Sequence, residues 1–374
     1  MPCMRPRKRE RTATGYMEGK RGSKTASGMK TAALLTAALS ACILTSCSFF
    51  PGHENLDAAV ESVKNGEYEN ALTILENAEE KGENPENVKR VEGIANMELA
   101  RYDEAARCFL DSLSANKGYV KEQDKDTSYY LAVAQYRTGD FEEAKKTYSA
   151  IIGLYPTESD AFLQRGKTEL KLGETDNAIA DFNRSIKLSP NDPDLYIDIY
   201  ECLSASGMKE EGSKYLKDAM EISTKLTNLQ KGKLYYCLGE YEQAKSSLES
   251  ARNVSTEGSV TLYLGRTYEA LGDTNYAASL YRAYLEANPS DVEIFNQLGL
   301  CCLDMGDYQG ALEAFEAGLS VPDNEYGQTL KYNRIVAYEN LGQFDQAALL
   351  MNDYLKEYPA DEAAKREEGF LRTR

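Results

Sequence analysis

The chain has 374 residues, 42% of them hydrophobic, one histidine and a formal net charge of −17. Its charge is unevenly placed: residues 1–30 carry nine Lys/Arg against two Glu and residues 31–47 carry none, which leaves 34 basic and 58 acidic residues from Ser48 onward, a net of −24. A body this acidic repels phosphate backbones and excludes a nucleic-acid function; the length admits one elongated domain or two to three compact ones.

The first element in chain order is an apolar stretch from Thr31 to Phe50, preceded by the basic segment and followed by Pro51-Gly52. A membrane-spanning helix needs about 20 mostly apolar residues. Here Thr31, Thr36, Ser40, Thr45, Ser46 and Ser48 interrupt the run, which makes it a poor span. Basic residues, a short apolar core and small residues before a cut are instead the order of a secretory signal.

Two quartets, Leu39-Ser40-Ala41-Cys42 and Leu44-Thr45-Ser46-Cys47, resemble the lipobox of bacterial lipoproteins. The resemblance implies cleavage before the cysteine, which is then diacylated. A cut at Cys42 leaves only Ala32–Ala38 as apolar core and strands Ile43 and Leu44 on the product, whereas a cut at Cys47 leaves a core of Thr31–Ile43. Cys47 is therefore the expected lipidation site and Cys42 the alternative. This gives a leader and signal peptide over 1–46 and a lipidated cysteine with a short tether over 47–51. The body is expected on the extracytoplasmic side, lipid-anchored to the cell membrane. With Ser48 rather than aspartate after the cysteine, that means the outer membrane where a cell has two.

The body repeats itself. Gly265, Gly272, Ala277 and Tyr281 are matched 34 residues later by Gly299, Gly306, Ala311 and Phe315, and earlier by Gly166, Gly173, Ala178 and Phe182. The spacing G-x6-G-x4-A-x3-[FY]-x7-P resembles the tetratricopeptide repeat. Nine units fit the frame, starting near Gly52, Glu86, Lys125, Ser159, Pro193, Lys225, Gly258, Val292 and Gln328. Small residues at repeat positions 8 and 20 let two helices approach closely, large ones at 4, 7, 11, 17 and 24 fill the space between, and glycine at 15 turns the chain.

The implied fold is all-α, a right-handed α-solenoid of about nine helix-turn-helix repeats. Repeats 1–2 fall in 52–119, repeats 3–9 in 120–361 and a capping helix in 362–374. Three irregularities stand out: Gly212 replaces the usual alanine in the fifth unit, the sixth starts only 32 residues after the fifth, and five extra residues around 114–128 suggest a loop or hinge.

Catalytic chemistry has no foothold. His53 is expected on the surface beside the tether, and no catalytic or phosphate-binding motif stands in a suitable context. Cys108, Cys202, Cys237, Cys301 and Cys302 are odd in number and lack C-x-x-C spacing, so they are expected as packing residues rather than disulfides or zinc ligands. No enzyme activity, cofactor, metal or small-molecule substrate is expected.

What remains is binding. The resemblance implies a concave face lined by repeat positions 2, 5, 6, 9, 12 and 13, here Arg90, Tyr129, Tyr130, Tyr136, Arg137, Gln164, Lys167, Lys171, Lys233, Tyr236, Tyr263, Arg266, Tyr332 and Asn333. Lys167, Lys233 and Arg266 share position 9 and would suit an acidic or extended peptide; the alternative is that position 9 merely faces solvent. The carboxylate clamp of chaperone-binding members is not reproduced, Asn333 alone matching one place. The expected function is a membrane-anchored extracytoplasmic scaffold for a protein or peptide partner. The alternatives are an envelope or outer-membrane assembly factor and, with no tryptophan for an aromatic platform, a glycan-binding lipoprotein.

Overall fold

The computed structural model describes residues 54–115, 121–222, 226–322, 326–359 and 361–373. Among these residues the chain is helical throughout, without a strand, and divides between residues 222 and 223 into two compact units. The expected leader, Cys42, Cys47, the tether and His53 lie outside the described residues.

The N-terminal unit holds five helix pairs: α1 (Glu54–Lys64) with α2 (Tyr68–Glu80), α3 (Pro85–Glu98) with α4 (Tyr102–Ala115), α5 (Glu122–Thr138) with α6 (Phe141–Leu154), α7 (Ser159–Lys171) with α8 (Thr175–Leu188), and α9 (Pro193–Ala205) with α10 (Lys209–Ile222). The C-terminal unit holds four: α11 (Asn228–Leu238) with α12 (Tyr241–Arg252), α13 (Gly258–Ala270) with α14 (Thr274–Ala287), α15 (Val292–Asp304) with α16 (Tyr308–Leu319), and α17 (Gly327–Asn340) with α18 (Phe344–Glu357). A single last helix, α19 (Glu362–Leu371), closes it. Nine pairs thus stand where the sequence places nine repeats. Within each unit the first helices of successive pairs also touch, as α1 touches α3 and α15 touches α17.

Every pair turns by the same device. The residue at position 15 adopts a left-handed conformation, and the next N–H donates to the carbonyl five residues back, as Asp140 N does to Gln135 O (2.9 Å) and Asp307 N to Cys302 O (2.9 Å). This hydrogen bond satisfies a carbonyl that the helix end leaves bare. Eight repeats use glycine at this point; the second uses Ala100, the one described non-glycine residue with positive φ, at +56°. Arg101 N still donates to Asn96 O (2.8 Å), so the alanine is forced into the shared geometry. A Cβ in this region costs about 1–2 kcal/mol. Ala100→Gly should therefore stabilise the N-terminal unit by about 1 kcal/mol, read as a higher denaturation midpoint, the lower figure allowing for glycine's extra unfolded-state entropy. An unchanged or lowered midpoint in urea titration would show that the turn carries no strain.

In five of the pairs close packing depends on a second glycine. At position 8 a Cβ on Gly93 would come 2.6 Å from the Phe109 ring, and one on Gly166 2.7 Å from the Phe182 ring. Gly265 against Tyr281 and Gly299 against Phe315 are closer still. The fifth pair inverts the arrangement. Tyr200 fills position 8, and the partner helix gives way: a Cβ on Gly212 would stand 3.1 Å from Tyr200 Cδ2 and 3.2 Å from its Cα. The unusual Gly212 is thus the counterpart of a large residue on the facing helix.

Among the described residues the apolar side chains do not gather into a single core. Separate apolar clusters run along each unit, one around Leu56, Leu75 and Val88, another around Phe109, Tyr130 and Ala134, and a larger one from Leu248 through Tyr281 to Leu330. Such stacks gain stability from nearest-neighbour interfaces. The end of the last stack is covered by α19, whose Ala364 and Leu371 join Met351 and Tyr354. Its first turn is held by Asp361, which accepts from Ala363 N and Ala364 N at 3.0 Å. Cys108, Cys301 and Cys302 are buried, and Cys202 and Cys237 half-buried. Burial pushes the Cys108 thiol up to about 12 and that of Cys202 up to about 11, far from a reactive thiolate.

Of the irregular stretches, one differs from expectation and one agrees with it. Residues 122–128, read from sequence as part of a loop or hinge, form the opening turns of α5. Lys121 N donates to Asp124 Oδ2 at 2.7 Å, and Thr127 and Ser128 bond back to carbonyls four residues earlier. The shortened sixth repeat coincides with the boundary of the two units; its first helix, α11, has only 11 residues and starts at a reciprocal cap between Thr227 and Gln230.

Candidate binding groove

The side chains expected along the inner face fall into three groups: tyrosines that pack, cations that are consumed by the next repeat, and cations left at the rim. Because the frame puts positions 2, 5, 6 and 9 of each first helix beside those of the next, polar residues there meet across the interface between repeats.

In the N-terminal unit Tyr129 is buried edge-on against Tyr148 (ring centroids 6.2 Å apart), Tyr130 stacks on Phe109 (5.4 Å), and Tyr136 stands edge-on to Phe141 (5.2 Å) while remaining half-buried. Arg90 Nη2 lies 3.9 Å from Asp126 Oδ2, and Gln164 donates to Asp160 Oδ1 at 3.1 Å. Lys167 is buried, its Nζ 3.7 Å from Asp198 Oδ2 on α9. Burial opposes its charge, but Cys202, Asp198, Asp160 and Glu201 outweigh that and hold its pKa above the usual lysine value. Arg137 and Lys171, both at position 13, are exposed.

In the C-terminal unit Lys233 sits over the Tyr263 ring at 5.6 Å, and Tyr236 meets the same ring edge-on at 5.6 Å. Arg266 is drawn into a network. Its Nε donates to Gln297 Oε1 (3.2 Å), its Nη2 lies 3.6 Å from Glu293 Oε1, Gln297 Nε2 donates to both oxygens of Glu269 (3.2 and 3.1 Å), and Tyr281 Oη donates to Glu269 Oε1 (2.6 Å). Burial raises the Glu269 pKa, against the pull of Tyr281, Gln297 and Arg266. Tyr332 packs edge-on to Tyr354 (5.7 Å), and Asn333 Nδ2 donates to Asn296 Oδ1 at 2.8 Å.

Of the three position-9 cations, Lys167 and Arg266 are therefore paired with acids of the following repeat, and Lys233 lies on a tyrosine ring. The residues that sequence reasoning passed over are those partners, Asp198, Glu293 and Gln297, together with Asn296, which faces Asn333. For the first three a signal was present, an acid or amide at position 2 or 6 of the unit after a cation at position 9. Arg137 and Lys171 are the expected groove cations that remain exposed. Among the described residues no helix is long and apolar enough to cross a membrane.

This architecture of paired helices in a fixed frame, with an inner face of tyrosine and inter-repeat polar pairs, defines a helical-repeat interaction protein. The tetratricopeptide-repeat family model matches residues 90–159, 129–193, 229–292, 262–325 and 303–362, together more than half of the chain. The chain belongs to the tetratricopeptide-repeat family. It is similar to the BBSome complex member bbs-4 of Caenorhabditis elegans (27% identical over 186 residues, 46% of this chain and 40% of that protein). It is also similar to the BBSome complex member BBS4 of Bos taurus (22% over 240 residues, 62% and 40%). The chain thus spans about 40% of the length of these relatives. Among solved structures, a tetratricopeptide repeat protein from Parabacteroides merdae is 14% identical, with 68% of this chain and 98% of that one covered and a TM-score of 0.44.

Proposed function

We propose that the chain is a non-enzymatic, lipid-anchored extracytoplasmic scaffold that captures a segment of another protein on the inner faces of its repeats. Repeat stacks present extended surfaces rather than a reaction chamber. Relatives described as members of a multiprotein complex support a role in protein–protein association. The anchoring half rests on one observation, the order of basic residues, short apolar core and Leu44-Thr45-Ser46-Cys47 immediately ahead of the acidic body. Two acyl chains suffice for stable attachment, each buried methylene contributing about 0.8 kcal/mol.

The test is metabolic labelling with an alkyne fatty acid in a bacterial host, followed by membrane fractionation and intact-mass measurement. The wild-type chain is expected to carry label on a product that starts at Cys47, and Cys47→Ala to lose the label and leave the processed membrane fraction. Label and partition that survive Cys47→Ala, with loss on Cys42→Ala instead, would move the anchor to Cys42. Absence of label from the wild-type chain, or label and partition that survive the double variant Cys42→Ala, Cys47→Ala, would reject a lipid anchor at these cysteines.

A further inference from the structure

The inner faces of the two units differ in what they leave uncovered. In the C-terminal unit Lys233 lies on Tyr263, Arg266 meets Glu293 and Gln297, and Gln297 meets Glu269, so the polar side chains there are engaged with one another. In the N-terminal unit position 12 is apolar or aromatic in four successive repeats, as Val63, Met97, Tyr136 and Leu170, and Val133 extends the stripe at position 9. All five are half-buried and keep part of their surface in water.

The edge of this stripe is basic at one end. Position 13 holds Lys64, bound to Glu61 at 3.1 Å, in the first repeat and Glu98 in the second, then Arg137 and Lys171 in the third and fourth. Arg137 and Lys171 are exposed, and among the described residues neither has an ion-pair partner, in a body of net charge −24. Two such cations in so acidic a molecule favour incoming carboxylates, and half-covered apolar side chains favour incoming apolar ones. First helices of neighbouring repeats stand about 8–10 Å apart, so the stripe runs for about 30 Å, the reach of about nine extended residues. A free anion meets only the basic end, whereas a polypeptide segment meets both features.

We propose that the inner face of the N-terminal unit receives an extended segment of a partner protein, its apolar side chains along this stripe and one or two acidic residues at one end against Arg137 and Lys171. This deepens the scaffold reading on which it rests, since it narrows capture to one of the two inner faces. It also moves the recognition of acids from position 9, where the cations are engaged within the chain, to position 13. Because only the third and fourth repeats offer unpaired cations at this position, a terminal acid rather than an acidic run is the motif.

The test is selection of phage-displayed random peptides on the protein, purified in non-ionic detergent as the host processes it, followed by fluorescence polarisation of recovered peptides. Enriched peptides are expected to combine apolar residues with an Asp or Glu near one end, and replacing that acid with its amide should weaken binding about fivefold. The double variant Arg137→Glu, Lys171→Glu should abolish the preference and favour a Lys in place of the acid. Lys187→Glu, which alters an exposed cation on the second helix α8, should change nothing. The double variant Val133→Ser, Leu170→Ser should weaken the acidic peptide and its amide form alike; if melting temperatures show that it fails to fold, the charge variants carry the test. No enrichment, enriched peptides without an acid, a preference that survives the double charge variant, an equal loss with Lys187→Glu, or full binding by folded Val133→Ser, Leu170→Ser would overturn the assignment. In-cell crosslinking separates the two levels: a specific partner captured equally well by the double charge variant leaves the scaffold standing and removes only this site, whereas no crosslinked partner removes both.

Discussion

Gly299→Val is expected to unfold the C-terminal unit while the N-terminal unit keeps its own transition. The Cβ of any residue at 299 would already enter the Phe315 ring, and valine adds two methyl groups on the same side. Phe315 is fully buried in the cluster that also holds Tyr281, Leu298 and Leu330, so the ring has no room to turn away. Overpacking of this kind costs about 3 kcal/mol at its upper range. Because stacked repeats are stabilised by neighbour interfaces, the loss should spread along α13–α18. Hydrogen exchange followed by mass spectrometry would show it as lost protection in peptides from 258–357 and unchanged protection before residue 222. Phe315→Met in the same chain should restore part of the stability, since the ninth pair already holds a β-branched residue at position 8, Ile335, in one cluster with Met351. Uniform loss across both units would contradict the local account.

The second large effect is expected at Arg266. Arg266→Met removes the cation that faces half-buried Glu293 and donates to Gln297. Breaking a fully buried pair from one side costs about 3–5 kcal/mol, and this one, with its partners 24% and 18% exposed, should cost less, whereas replacing both partners with apolar residues is often close to neutral. The double variant Arg266→Met, Glu293→Leu should therefore recover most of the loss in a urea titration. The single variant should also gain a pH dependence. Burial holds the Glu269 pKa above its unfolded value, and Arg266 pulls against that rise. Without Arg266 the folded pKa climbs further. The protonated form then favours the fold, and its stabilisation fades as pH rises through the folded value. The deficit of Arg266→Met should accordingly be greatest above neutrality and shrink towards the ordinary carboxylate range. A deficit that does not vary with pH would mean that Glu269 is not coupled to Arg266.

Much of the fold was legible because its requirements act on single residues at fixed spacing. A left-handed turn favours glycine, a tight crossing favours a small residue on one of the two facing helices, and a capped last helix favours an acid such as Asp361 before it. Each leaves a mark that one sequence can show. The inner face was less legible, since its pairs join residues of different repeats. That Lys167 meets Asp198 and Arg266 meets Gln297 depends on how far one first helix slides along the next, a distance the repeat frame alone does not give. The cation at position 9 was visible; its consumption by the following unit was not. The extra residues near 114–128 misled for a related reason, since Asp124 lies too near other turn-forming residues to be singled out as the group that starts α5.

The exchange of bulk between Tyr200 and Gly212 limits how such a chain can be rebuilt. A module cut at repeat boundaries carries both halves of its lock with it and can be moved intact. A graft that takes only one helix, for example α10 replaced by α8, would bring the Ala178 methyl to 3.1 Å from Tyr200 Cδ2 and its carbonyl oxygen, so the two helices would have to part by a few tenths of an ångström. Duplication and deletion of whole repeats therefore keep this crossing intact, while recombination inside the fifth one shifts it.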